Sequence, residues 1–282
     1  MAVEQRIARV NSGDVSIFYR VFGSPGKAPL MILHGSNYYD SYDWINVATQ
    51  LASDREVVTP DRRGWGESTW SPSKNYTRDA LMDDIRAVAG TMKWTEKPII
   101  AGHSGAGPTV IAFSVDYPTE LSKLILVDSQ MNRDEDAPTG PTVGNAPLVF
   151  PTIEAGMAYF AKLNNPPQVA HDRDRMLHAL IKVDNGFMLK RDPDNGNKKP
   201  IGVPEAPPKF PLREMWSELG MVKTPTILVR GTRSDRFPPA VVDRFTKEYP
   251  HIPQMTVDSQ HNIPGQAPDA FVAHVKKFIG AA

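Results

Sequence analysis

Three residue types in this chain could together perform acyl transfer: a serine, a histidine and a carboxylate. The serine is Ser104, at the end of Ile99-Ile100-Ala101-Gly102-His103-Ser104-Gly105-Ala106-Gly107. A branched apolar run leads straight into a serine flanked by small residues, and the helix-compatible stretch Pro108 to Val115 follows at once. This pattern reads as strand, sharp turn and helix, with the hydroxyl at the apex. Such a turn strains the backbone and admits only small neighbours. It also aims the first free N–H groups of the helix at any charge that develops beside the hydroxyl.

A serine hydroxyl is a poor nucleophile until a base takes its proton, and near neutrality that base is most simply a histidine. Of the seven histidines, His274 falls within the last helix, and His171 and His178 lie in a proline-rich middle segment. His251 precedes a strand, at the wrong end of the sheet. His103 adjoins the serine on a turn that directs it elsewhere, and His34 opens a loop suited to supplying backbone donors. His261 alone lies just beyond a strand's carboxyl end late in the chain, and is the expected base. The base needs a carboxylate to fix its tautomer and to stabilise the imidazolium. Asp235, after the run Thr226-Ile227-Leu228-Val229, is the expected partner. Asp128, at the end of Leu124-Ile125-Leu126-Val127, is its rival at the same rim, with support of the lid entry or the histidine loop as its other role.

These residues need elements that bring them together. Arg6–Val10 and Val15–Phe22 read as a hairpin around Asn11-Ser12-Gly13-Asp14. Leu30–Leu33, Glu56–Thr59, the run before Ser104, Leu124–Val127, Thr226–Val229 and Gln254–Val257 read as further strands, several of them wholly apolar, as in strands covered on both faces. Helical patterns fall over Tyr42–Ser53, Arg78–Met92, Pro239–Glu248 and Ala267–Ile279. Alternating strands and helices imply an α/β fold with a mostly parallel central sheet flanked by helices. In such sheets ligands bind at the carboxyl ends of the strands, where Ser104, Asp235 and His261 all fall.

Residues 132–218 differ. They are rich in proline and show helical patterns over Ile153–Leu163 and Pro167–Asp184, with no buried-type strand. The expectation is an inserted helical lid over 132–218 and a core domain over 1–131 and 219–282. Phe150, Phe160 and Met188 of the lid, with Met131 and with Tyr38 and Tyr39 beside the first loop, are expected to contact substrate. The small-molecule substrate is then apolar or aromatic. Arg173, Arg175, Arg233 and Arg236 are the arginines that could meet an anionic group.

The stretch around Ser104 resembles the nucleophile elbow of the α/β-hydrolase family, with Ala106 in place of the last glycine of Gly-x-Ser-x-Gly. His34-Gly35-Ser36 resembles the family's His-Gly-x loop, and Asp61-Arg62-Arg63-Gly64-Trp65-Gly66-Glu67-Ser68 its Asp-x-Arg-Gly-x-Gly-x-Ser loop. The order Ser104, Asp235, His261 is also the family's. The resemblance implies an oxyanion hole made by the amides of Gly105 and Ser36, and a structural job for the Asp61–Ser68 loop. It implies a hydrolase acting on an ester or lactone, with amide or vinylogous-diketone carbon–carbon cleavage as alternatives on the same triad. A slow-turnover ligand sensor and cofactor-free oxygen chemistry are the other classes the fold supports. The family's dehalogenases and epoxide hydrolases place aspartate where this chain has Ser104.

Composition sets the outer limits. The 282 residues are 40% hydrophobic and 23% charged, with zero formal net charge. Nothing there suggests a nucleic-acid or membrane surface. The chain has no cysteine, so disulfides, thiolate metal sites and a cysteine nucleophile are excluded. No cofactor and no metal are expected, and a homodimer is possible. The first residues carry no apolar signal core and no run is long enough to span a bilayer, so a cytoplasmic location is expected.

Overall fold

The computed structural model describes residues 4–36, 40–129, 146–161, 173–195 and 207–280. In chain order the strands and helices begin with β1 (Gln5–Ser12), β2 (Val15–Phe22), β3 (Leu30–Leu33), α1 (Ile45–Leu51) and β4 (Val57–Pro60). Then come α2 (Arg78–Met92), β5 (Ile99–His103), α3 (Gly107–Asp116) and β6 (Lys123–Val127). The middle segment contributes β7 (Val149–Phe150), α4 (Ile153–Ala161), α5 (Arg173–Ala179), β8 (Leu180–Val183) and β9 (Gly186–Leu189). The chain returns through α6 (Met215–Met221), β10 (Thr226–Gly231), α7 (Pro239–Glu248), β11 (Gln254–Val257), α8 (Ile263–Gln266) and α9 (Pro268–Ile279).

Eight strands form one sheet in the order β1-β2-β4-β3-β5-β6-β10-β11. The hairpin strand β2 pairs antiparallel with β1 and β4, and every other pair is parallel. The apolar runs are buried on both faces because alternate side chains face opposite helix layers. Ile100, Leu124, Leu126 and Leu228 pack with α2, α3, α6 and α7. Ile99, Ala101, Ile125, Val127, Ile227 and Val229 pack with α1 and α9. The direction of strand addition reverses between β3 and β5, so the loop after β3 and the turn after β5 open side by side at the carboxyl edge.

Two expectations for the middle segment change. The helix expected over Pro167–Asp184 ends at Ala179 within the described residues, and β8 and β9 follow as a hairpin with Val183 opposite Gly186. Asp184-Asn185-Gly186 is a strong hairpin turn signal, and it outweighs the helical spacing upstream. With β7 these strands make a three-stranded antiparallel sheet, so the segment is mixed rather than helical. The expected boundary at 218 also cuts through α6, whose Trp216 and Leu219 are buried in the main core against α3 and α7.

Candidate active site

Ser104 follows β5 directly and holds φ at +52°, the left-handed region that a non-glycine residue rarely adopts. The surrounding fold enforces this. Gly102 lies so close to α3 that a Cβ there would meet Val110 Cγ2 at 2.5 Å. Gly105 is closer still to the loop after β3, where a Cβ would lie 1.8 Å from Ser36 Oγ. Ala106, where the sequence pattern expects glycine, is fully buried in the main core.

His261 reaches Ser104 from the loop after β11. Its Nε2 is 2.7 Å from Ser104 Oγ, and its Nδ1 is 2.6 Å from Asp128 Oδ2. The carboxylate can only accept from Nδ1, so in the neutral imidazole Nε2 is the acceptor and faces the Ser104 hydroxyl. Asp128 is fully buried and holds φ at +41°. Its other contacts are also donors: the Gly231 N–H at 3.0 Å to Oδ1, and the Ser234 hydroxyl to Oδ2.

Here the structure corrects the expected carboxylate. Asp235 does not face His261. Its side chain is 65% exposed and lies 3.3 Å from the Arg236 guanidinium. The reason is register. β6 lies directly between β5 and β10, with Val127 level with both His103 and Val229. A carboxylate one residue beyond Val127 therefore stands beside the serine's strand, whereas Asp235 lies four residues beyond the end of β10. Sequence reasoning placed Asp128 at the right rim; what it lacked was the neighbour relation of β5 and β6.

Two further histidines brace the site as neutral groups. His103 is fully buried, stacks on His261 with centroids 4.8 Å apart, and donates from Nε2 to the His261 carbonyl at 3.1 Å. Burial, with His261 beside it, pushes its pKa down to about 3. His34 accepts the Arg62 N–H at its Nε2 (2.9 Å), so its Nδ1 carries the proton and donates to the Gly35 carbonyl at 2.7 Å. Burial and Arg62 push it down to about 3 as well. That bond fixes the Gly35–Ser36 peptide, whose N–H points away from the held carbonyl. Gly35 itself packs on Ser104: a Cβ there would lie 3.0 Å from Ser104 Cβ. The loop carrying Ser36 is thus pressed against both Ser104 and Gly105.

The Asp61–Ser68 loop supports this arrangement from behind. Asp61 accepts the N–H groups of Ser41 at 2.7 Å and Glu67 at 2.8 Å, and burial with Asp40 nearby pushes its pKa up to about 7. Arg63 forks onto both oxygens of Asp84 at 2.7 Å. Of the residues expected to touch substrate, Tyr38, Tyr39 and Met131 lie outside the described residues. Phe150 and Phe160 are buried in a separate cluster with Ile153, Met176, Leu180 and Leu189, the core of the middle segment itself. Met188 is half-buried on β9, opposite Val149 and Ile181. Among the described residues no group of three or more His, Cys, Asp or Glu could hold a metal ion, and no helix is long and apolar enough to cross a membrane.

A family model described as alpha/beta hydrolase fold matches residues 28–268. Epoxide hydrolase 4 of Mus musculus is 29% identical over 122 residues, which cover 43% of this chain and 33% of that protein. The 2-hydroxymuconate semialdehyde hydrolase of Pseudomonas sp. (strain CF600) is 30% identical over 103 residues, 36% of each chain. The matched stretches thus span about a third of these curated relatives. Among solved structures, that of E-2-(acetamidomethylene)succinate hydrolase superposes with a TM-score of 0.76 at 18% identity, covering 99% of this chain and 100% of that one.

Proposed function

The chain belongs to the α/β-hydrolase fold family, and from that premise we propose that it is a cofactor-independent serine hydrolase cleaving a carboxylic ester or lactone through an acyl-enzyme on Ser104. The observation that carries this reading is the unbroken run of hydrogen bonds from Ser104 Oγ through His261 to buried Asp128. In the proposed reaction Ser104 Oγ attacks the acyl carbon while His261 Nε2 takes its proton. Asp128 stabilises the imidazolium that forms. The amides of Gly105 and Ser36 hold the oxyanion, since donors set in place beforehand stabilise charge without reorganising. His261 then protonates the leaving oxygen, and the reverse sequence with water releases the acid. The small-molecule substrate approaches beneath the middle segment, which serves as a lid.

The similarity to an epoxide hydrolase does not carry that activity here. A seryl oxygen opening an epoxide would leave an ether, which water does not cleave under these conditions, whereas an acyl-serine is hydrolysed. The similarity to 2-hydroxymuconate semialdehyde hydrolase supports a second reading, carbon–carbon cleavage of a vinylogous diketone by the same residues. Parallel assays with p-nitrophenyl esters, lactones and a vinylogous diketone separate the two. Wild-type protein should release many equivalents of p-nitrophenol per site. Ser104→Ala should lose about 10⁴-fold or more in kcat, because the members of such a triad act as a unit. Turnover that survives in Ser104→Ala, or release that stops at one equivalent in wild type, overturns the reading.

A further inference from the structure

Arg191 stands on the strap that leaves β9, and its sequence neighbours tie that strap to the core. Lys190 pairs with Glu67, and its carbonyl accepts the Gly66 N–H at 2.8 Å. Asp192 is fully buried, takes Lys74 Nζ at 3.0 Å and the Tyr76 hydroxyl at 2.6 Å, and donates its own N–H to Gly64 at 2.8 Å. Arg191 pairs with Trp65 through the backbone as an isolated antiparallel bridge. The strap is anchored at every residue, yet among the described residues the guanidinium it carries meets no acid. Its one hydrogen bond among the described residues is long, from Nη1 to the Ser36 carbonyl at 3.5 Å. Burial holds Arg191 below the usual arginine range, with no offsetting charge among the described residues.

A second guanidinium meets the same serine, since Arg62 Nη1 donates to Ser36 Oγ at 3.1 Å. Two arginines therefore meet at Ser36, whose side chain lies against Gly105, the residue after Ser104. The four arginines that the sequence offered for an anion all hold acids instead: Arg173 on Glu154, Arg175 on Asp43, Arg233 on Asp258 and Arg236 on Asp235. Arg191 is half-buried, and a partly desolvated cation with no counter-charge nearby gains from a ligand that pairs with it. A guanidinium is shaped to receive a carboxylate through two parallel N–H bonds.

We propose that Arg191 anchors a carboxylate of the substrate, so that the molecule cleaved at Ser104 is a half-ester or lactone acid rather than a wholly apolar one. This rests on the reading of Ser104 as the nucleophile. Arg62, through Ser36, adds positive charge to the same subsite.

The test compares two esters that differ only at the far end of the acyl chain: p-nitrophenyl hydrogen glutarate, ending in a carboxylate, and p-nitrophenyl pentanoate, ending in a methyl. Wild-type kcat/KM should favour the glutarate ester. Arg191→Gln should lower the glutarate-to-pentanoate ratio by about 10- to 100-fold, the scale of a lost charged hydrogen bond. Arg191→Lys, which keeps the charge, should restore part of that ratio. Glutarate binding by calorimetry to Ser104→Ala protein, and its loss when Arg191→Gln is added, reads the subsite without turnover. A ratio unmoved in folded Arg191→Gln, or glutarate binding indifferent to Arg191, overturns the proposal. Arg191-dependent glutarate binding with no turnover of either ester would instead support the subsite while the hydrolase reading fails.

Discussion

A carboxylate at the end of a buried strand and one four residues out on a loop face different surroundings, and that difference decides which of them serves His261. Asp128 is fully buried, with its oxygens given to Gly231, Ser234 and His261. Asp235 is 65% exposed beside Arg236. Asp128→Asn would offer His261 Nδ1 an amide, which can favour the wrong tautomer, and should lower kcat by about 10⁴-fold. Asp235→Asn alters a solvated surface group and should leave kcat within about threefold of wild type, as expected for substitutions away from packed features. Steady-state rates on one p-nitrophenyl ester check both, and the reverse ranking would refute the assignment. His34 and His103, which share the residue type of His261, hold backbone carbonyls instead. Burial makes protonating either ring unfavourable, so neither competes for the serine's proton.

Between elements, the clearest contact is the docking of α5 on the core. Arg175 forks onto Asp43, in the turn before α1, and His178 stacks on Tyr42 with centroids 4.2 Å apart. Asp43 is buried deeply enough that its pKa stays raised, burial outweighing even Arg175. Removing one member of a buried pair leaves the other's desolvation uncompensated, a loss on the order of 3–5 kcal/mol. In Arg175→Ala, α5 should therefore open locally while the sheet stays closed. Amide hydrogen exchange in α5 should speed up by about tenfold or more, with β5 and β6 unchanged. Equal acceleration in both regions would mean that the contact supports the whole domain rather than the docking of one helix. The cluster of Phe150, Ile153, Phe160, Met176, Leu180 and Leu189 gives the middle segment a small core of its own, which makes such separate motion physically reasonable.

For the whole molecule, buried titratable groups set the response to acid. His34 and His103 are both pushed down to about 3 from an ordinary 6.5, chiefly by burial. Between those values the unfolded chain binds two protons that the folded chain refuses, so their contribution to stability is present above 6.5 and is lost as pH falls. Asp61 opposes them. Burial and Asp40 push it up to about 7 from 3.8, so between those values the folded chain binds one proton that the unfolded chain does not. From these groups the net difference between pH 6.5 and 4 is about one proton, bound by the unfolded chain. Stability should fall as pH drops through that window. In Asp61→Asn the opposing proton is gone and the slope should steepen by about one proton's worth, ~1.4 kcal/mol per pH unit. Urea unfolding free energies between pH 4 and 7 measure both slopes; an unchanged slope in Asp61→Asn would show that Asp61 is ionised in the folded protein.

Much of this molecule is written locally in its chain. Apolar runs too short for helices, the small residues around Ser104 and the glycine-rich loops determine a buried parallel sheet and a strained serine at its carboxyl edge, because strand burial and turn geometry depend on adjacent residues. His261 was legible for the same reason: position after a strand is a property of sequence order. The carboxylate that faces His261 was not. Asp128 and Asp235 both follow apolar strands, and only the side-by-side order of β5, β6 and β10 says which stands next to the serine. The hairpin of β8 and β9 carries a local signal in Asp184-Asn185-Gly186, but the membership of α6 in the core and the meeting of Arg62 and Arg191 at Ser36 were likewise decided by tertiary structure. In each case the partner lies far along the chain, and strand order, packing and counter-charge are relations between segments that no local pattern carries.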